Sequence, residues 1–287
     1  MDKRTDGWVS GFVGVLIFSG SLPATRAAIM DFDPLFLTVA RAAIAGVLAL
    51  ALLLLFREPR PSKTDLSSLA IIALGVVAGF PLLSALALQR ITSAHSLVFI
   101  GLLPLATALF GTLRGGERHP AAFWLFSATG SAAVAGFAWS QGFSISPLGD
   151  GLMLGAVAVC GLGYAEGATL ARRLGGWQVI SWALVLSLPV MIPLTLLLRP
   201  PTLAGITGPA WIGLGYVSLF SMLIGFVFWY RGLARGGTAA VGQLQLLQPF
   251  LGLVLAATLL RETVTPLMLA TTLVVILCVA GAKRFET

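Results

Sequence analysis

Charge is what this chain has least of. Only 10% of its 287 residues are Asp, Glu, Lys or Arg, against about 25% in an ordinary soluble domain. Histidine and cysteine are nearly absent, with two of each, and Cys160 and Cys278 both fall inside apolar runs. That excludes a disulfide framework and any metal-ligand spacing. No G-x-x-x-x-G-K-[ST] occurs, so the chain cannot use ATP through a phosphate-binding loop, and no G-x-S-x-G marks a nucleophile. With His95 and His119 as the only histidines, a nucleophile with its base has little to be built from. An intramembrane enzyme therefore ranks last among the functions considered. No catalytic residue, cofactor or metal is expected.

What is there is apolar. Hydrophobic residues make up 57% of the chain, more than a water-soluble fold of this size can hide, so the solvent is lipid. A net charge of +7 would point to nucleic acid in a soluble protein. Here the basic residues sit in short loops between apolar runs, which is the signature of membrane orientation instead. Nucleic acid is excluded as a partner, and no obligate protein partner is evident.

A spanning helix needs roughly 20 apolar residues. Ten segments qualify: 8–29, 35–56, 66–88, 93–113, 121–139, 149–171, 177–198, 208–230, 238–260 and 267–282. The first exceeds the apolar core of a signal peptide and is read as a retained span. With both termini inside, the cytoplasmic segments hold Lys3, Arg4, Arg57, Arg60, Lys63, Arg114, Arg118, Arg172, Arg173, Arg231, Arg235, Lys283 and Arg284. The outer side holds only Arg26, Arg90, Arg199 and Arg261, and Arg41 remains inside span 2. Nine or eleven spans would spoil this alternation. Six tryptophans (Trp8, Trp124, Trp139, Trp177, Trp211 and Trp229) lie near proposed ends and read as an interfacial belt, while Trp182 lies deeper.

The chain also repeats itself. Leu88, Arg90, Ala94, Leu102, Pro104 and Glu117 recur 145 residues later as Leu233, Arg235, Ala239, Leu247, Pro249 and Glu262. Pro104 and Pro249 both read as mid-span prolines. Gly7, Gly11 and Thr25 pair more faintly, at a spacing of 144, with Gly151, Gly155 and Thr169. Each half, 1–144 and 145–287, would contain five spans. An odd number inserts the second half from the opposite face, so the fold class is an all-α membrane protein of ten transmembrane helices in two inverted five-helix repeats. Inverted repeats are a transporter device, because two equivalent arrangements of the halves open one site alternately to each side. Duplication that merely built a stable bundle is the alternative.

Gly20-Ser21 in span 1, Pro34 followed by Arg41 in span 2, and the Leu88-to-Glu117 block with its echo together resemble the drug/metabolite transporter superfamily. The resemblance is to ten-helix EamA-type exporters and covers essentially the whole chain. It implies a central cavity enclosed by spans 1, 3, 4, 6, 8 and 9, with spans 5 and 10 peripheral. It implies export of amino acids or related metabolites across a bacterial inner membrane, aromatic amino acids among them. The chain departs from the family at Phe18, where Trp often precedes the Gly-Ser pair.

Several residues are candidates for the substrate cavity. Glu166 is the only carboxylate well inside an apolar run, and intramembrane ionisable groups are functional candidates. It could bind a substrate ammonium or cycle a proton, in which case Glu166→Gln abolishes or uncouples transport; or it could pair at the cytoplasmic interface, about one and a half turns from Arg172 and Arg173. Gln245 and Gln248, three apart before Pro249, share a helix face, and their counterparts are Ile100 and Leu103, so the cavity would be chemically asymmetric. Ser19, Ser21 and Pro23 mark a local break in span 1, and Tyr164 stands near the equivalent place in span 6. Phe80, Ser84, His95 and Phe99 are weaker cavity candidates. Arg41, Pro23, Pro104 and Pro249 read as structural or gating positions. Glycines spaced by four (Gly75/Gly79, Gly151/Gly155, Gly163/Gly167 and Gly111/Gly115) read as helix-packing seams. A channel or lipid scramblase on the same bundle is the competing function.

Overall fold

Asp33 shows how a span begins here. Its side chain accepts hydrogen bonds from the amides of Leu35 at 2.8 Å and Phe36 at 3.3 Å, and Pro34 takes the first helical position, where a missing N–H costs nothing. The helix it starts, α2, runs Pro34–Leu55. Ser62 and Asp65 close a reciprocal box in the same way at the start of α3. The computed structural model describes residues 2–91, 96, 99–140, 146–248, 250–251 and 266–285. These fall into ten helical segments. The others are α1 (Lys3–Ala28), α3 (Lys63–Leu88), α4 (Leu103–Gly115), α5 (Ala121–Ser140), α6 (Pro147–Leu174), α7 (Gly176–Leu197) and α8 (Gly208–Gly236). Next, α9 is an α-helix over Thr238–Gly242 that tightens to a 3-10 turn over Gln243–Leu247, and α10 is Pro266–Arg284. Six of them, α1, α2, α3, α6, α7 and α8, are long and apolar enough to cross a membrane; the rest are shorter among the described residues. His95, Pro249 and Glu262 lie outside the described residues.

The two halves interlock. Helix α1 packs along α8, and its repeat counterpart α6 packs along α3. The counterparts α2 and α7 pack on each other, as do α4 and α9, and α5 and α10. Contacts that are exchanged or self-paired under the repeat are what a two-fold relation between halves produces. The outermost pair is α5 with α10, and the interior belongs to the other helices.

Glycine makes the α1–α8 seam possible. A Cβ on Gly7 would stand 2.5 Å from the Gly236 nitrogen, and one on Gly232 would stand 2.6 Å from the Gly11 nitrogen. Backbone therefore meets backbone across the seam between the halves, where small residues let helices approach in lipid. The α3–α6 contact repeats the theme, since a Cβ on Gly75 would lie 2.5 Å from the Val159 carbonyl oxygen. Two expectations are corrected. Gly151 faces open space and forms no seam, because it stands on the outward side of α6, whereas Gly149 in the same turn packs on Ile91 and Arg90 just after α3. Trp229 is fully buried beneath Phe18 and Tyr164 rather than interfacial, because α8 continues to Gly236.

Both long helices α3 and α8 widen to a π-turn at matching places, over Ala73–Gly79 and Val217–Ile224. Pro81 explains the first: it lacks an N–H and its ring displaces the carbonyl four residues back. A glycine closes each wide turn. A Cβ on Gly79 would lie 2.5 Å from the Leu74 oxygen, and one on Gly225 would lie 2.9 Å from the Phe220 oxygen, each the carbonyl five residues earlier.

One end of the bundle gathers the basic residues. Arg114 pairs with Glu166 at 3.0 Å and Arg172 with Glu117 at 2.6 Å. Arg173 pairs with Asp65, and Arg231 and Arg235 both hold Asp6. Lys283 sits 4.5 Å over the Trp8 ring, which brings the two ends of the chain to the same side. By the excess of Lys and Arg, that side is cytoplasmic. At the other end Arg26 donates to the last carbonyl of α3, Leu88, at 2.5 Å. Asp31 there accepts from the amide and hydroxyl of Thr207 at 2.8 and 2.6 Å, and those two bonds hold its carboxyl below the usual carboxylate range.

Candidate functional site: a closed cavity between the halves

Helix α1 is broken at Gly20, and other helices stitch the break. The Tyr216 hydroxyl of α8 donates to the Ile17 carbonyl at 2.6 Å, and the Gln248 amide donates to the Phe18 carbonyl at 3.3 Å. A freed carbonyl inside a membrane needs such partners, since no water replaces the lost helix bonds. Ser21, just past the break, donates to Ser221 in the wide turn of α8 at 2.8 Å. Arg41 of α2 donates through Nη2 to the same Ser221 oxygen at 3.2 Å.

Around this junction lies a cavity of about 40 Å³, room for roughly three water molecules. Its lining mixes apolar side chains, Phe18, Val76, Phe80, Ile100, Leu103 and Phe226 among them, with the polar Ser21, Thr25, Arg41, Ser84, Tyr164, Ser221 and Gln248. Phe18 and Phe226 meet edge to face at 5.1 Å. The residues come from α1, α2, α3, α4, α6 and α8, with Gln248 following α9. Small-molecule sites commonly measure about 300–1,000 Å³, so the walls are drawn together in this conformation.

The structure thus brings together Ser21, Phe80, Ser84, Tyr164, Gln248 and Arg41 from the residues singled out in the sequence. Others lie elsewhere. The Ser19 hydroxyl folds back on the Val15 carbonyl at 2.8 Å, and Phe99 is buried in the core outside the lining. Gln245 is fully buried outside the lining, with its amide beside the Tyr164 hydroxyl. Pro23 lies in the helical turn after the break. Pro104 is not a mid-helix proline: it stands in the first turn of α4, after a turn at residues 101–102, the position where a missing N–H is tolerated. His95 and Pro249 lie outside the described residues.

Glu166 stands away from the cavity. Its carboxylate accepts from Ser68 at 2.6 Å and from Arg114 at 3.0 Å, which ties α6 to α3 and α4 in the cytoplasmic layer of ion pairs. The partner is Arg114, brought in by the α4–α6 packing, rather than the nearby Arg172 or Arg173. Glu166→Gln is therefore expected to lower thermal stability modestly, by about 1 kcal/mol for a half-exposed partner, and to leave transport and its pH profile intact. Vesicle uptake measured from pH 5 to 8 checks this, and a lost pH response would return Glu166 to the transport path.

Sequence reasoning missed Thr25, Ser221 and Phe226. A signal for Ser221 was available, because it follows Val76 by the repeat spacing of 145 and both line the cavity. Applying the repeat to Phe80 leads in the same way to the neighbourhood of Phe226. Thr25 had its repeat identity with Thr169, but that partner lies in the cytoplasmic half of α6 with its hydroxyl on the Ala165 carbonyl.

Comparison with known proteins agrees with this architecture. A model of the EamA-like transporter family matches residues 6–139 and again residues 147–282. The chain is 68% identical over 285 residues to "Uncharacterized transporter YdeK" of Bacillus subtilis (strain 168), covering 99% of each. It also superposes on a solved structure described only as "Crystal structure of protein", with a TM-score of 0.77 at 20% identity, covering 97% of this chain and 98% of that one. At that identity the likeness speaks for the fold alone. Matched through both of its five-helix halves, the chain belongs to the EamA-like transporter family of the drug/metabolite transporter superfamily.

Proposed function

We propose that this transporter is a secondary active exporter of small metabolites, amino acids foremost and aromatic ones among them, working by alternating access in a bacterial inner membrane. The observation that carries the reading is the position of the cavity. It lies between the two halves, at the break in α1 and beside the wide turns of α3 and α8, and it is far smaller than a solute. Wide turns are weak points in a helix ladder and recur at functional sites. Two of them at repeat-equivalent positions give each half a place to bend about the same cavity. Rocking one half against the other then exchanges which end is open. The lining fits an amphipathic solute, since it offers phenylalanine rings together with hydroxyls, an amide and a guanidinium.

The test is kinetic. Purified protein in proteoliposomes preloaded with unlabelled phenylalanine should show saturable counterflow of labelled phenylalanine, or of another amino acid drawn from a panel. Ohmic current, or exchange of labelled lipid between leaflets without counterflow, would replace the carrier with a channel or scramblase.

A further inference from the structure

Arg41 is the only charged side chain among the described residues that line the cavity. It stands seven residues into α2, about 10 Å along the helix axis from Pro34. Its residue surface is 6% exposed. A guanidinium offers five N–H donors, and here a single bond to Ser221 is made, while Nε has no partner among the described residues. No carboxylate among the described residues pairs with it. The acids of the described residues are committed or distant: Glu166, Glu117, Asp65 and Asp6 hold arginines in the cytoplasmic layer, Asp2 precedes α1 and Glu58 accepts from Gln178 at that same end, and Asp31, Asp33 and Asp150 stand at the outer ends of helices. A buried cation without a counter-ion is strongly disfavoured in an apolar interior, and in a membrane such a group marks the path of what is carried.

From this geometry we infer that the substrate supplies the missing anion: Arg41 docks a carboxylate, and the transported class is small amphipathic monocarboxylates. This rests on the transporter reading above and narrows it. The forked N–H pair of Arg41 matches the two oxygens of a carboxylate. Ser221, itself held by Ser21, takes one N–H of that fork, and the Phe18, Phe80 and Phe226 rings receive the apolar part of the molecule. One cation neutralises one anion, so a phosphomonoester dianion would bring an uncompensated charge into the cavity. No carboxylate among the described lining residues is available to an ammonium group. The amino group of an amino acid is therefore dispensable, whereas its carboxylate is required, and amines are excluded.

Four probes with one skeleton separate these possibilities: phenylalanine, 3-phenylpropionate, phenylalaninamide and phenethylamine. Thermal stability of the purified protein is measured with each, alongside competition for phenylalanine counterflow. The two carboxylates should stabilise the protein and compete, and the amide and amine should do neither. In Arg41→Gln, folded by size exclusion, the apparent affinity for both carboxylates should fall by at least about tenfold, the ordinary cost of losing a buried charge partner; Arg41→Lys should retain part of it. Selectivity in the unaltered protein needs no variant and stands even if Arg41→Gln does not fold. Equal binding of the amine or amide, or undiminished carboxylate binding by Arg41→Gln, overturns the inference while leaving a carrier in place. Counterflow of a cationic solute does the same. Absence of counterflow with every solute, together with channel current or lipid exchange, overturns the carrier reading and the inference with it.

Discussion

Gly232→Leu is expected to yield no monodisperse protein. At this position the backbone of α8 lies against the backbone of α1, so a Cβ would stand 2.6 Å from the Gly11 nitrogen and 2.7 Å from its Cα. Neither is the end of a flexible side chain that can swing aside. Overpacking a core against side chains costs about 1–3 kcal/mol. Against backbone on both sides the helices must separate, and the seam that joins the two halves opens along its length. Size-exclusion chromatography after extraction reads the result. The control is Gly151→Ala in α6, where nothing lies within 4 Å and the change should stay within about 0.5 kcal/mol. A folded, stable Gly232→Leu protein would mean that α1 and α8 are not in backbone contact.

Glu117→Gln should lower the melting temperature by several degrees and flatten its dependence on acid. Glu117 stands in the loop after α4, where Gly116 at φ 68° ends the helix. Its two oxygens accept the first amides of α9, Thr238 and Ala239, each at 3.0 Å. It also receives Arg172 at 2.6 Å and has the His119 ring at 3.5 Å. A carboxylate at a helix N-terminus satisfies donors that have no partner within the helix and complements the helix dipole. Burial works against its charge, but the nearby His119 and Thr238 side chains and the bonds from the amides of Ala239 and Thr238 outweigh burial and hold its carboxyl well below the ordinary value of 4.5. The stabilisation is therefore complete above that ordinary value and is lost as pH falls below it toward the depressed one. Glutamine can accept one amide but turns an N–H toward the other. The loss is on the order of 3 kcal/mol, mostly from the two amides, since Arg172 is partly exposed and its share is screened. Melting curves from pH 7 down to pH 3 should converge for the two proteins in acid. Parallel curves would show that Glu117 does not carry the charge.

Much of the architecture was open to reading because lipid makes the pattern simple. Apolar length marks each span, loop arginines mark the side, and the 145-residue echo marks two halves of opposite insertion. Where the reading erred, a local rule met a tertiary one. Trp229 looked interfacial because Arg231 follows it, yet α8 runs on past Arg235, whose charge is met by Asp6 from α1. Pro104 looked like a kink in one continuous helix, but the chain turns before it and restarts. Glu166 was open to two readings, a transport role or an interfacial ion pair, and only the packing of α4 on α6 supplies Arg114 as its partner.

The sequence by itself determined that this chain crosses a membrane ten times, which side faces the cytoplasm, and that two inverted halves compose it, since each follows from transferring side chains between water and lipid along one dimension. Tertiary structure alone decided which polar groups meet. The junction of Ser21, Arg41 and Ser221 joins residues 180 to 200 positions apart, and no periodicity along the chain records a hydrogen bond across that distance. The same holds for Arg41 in the cavity: composition counts an arginine, but only packing in three dimensions gives it a serine and no carboxylate among the described residues.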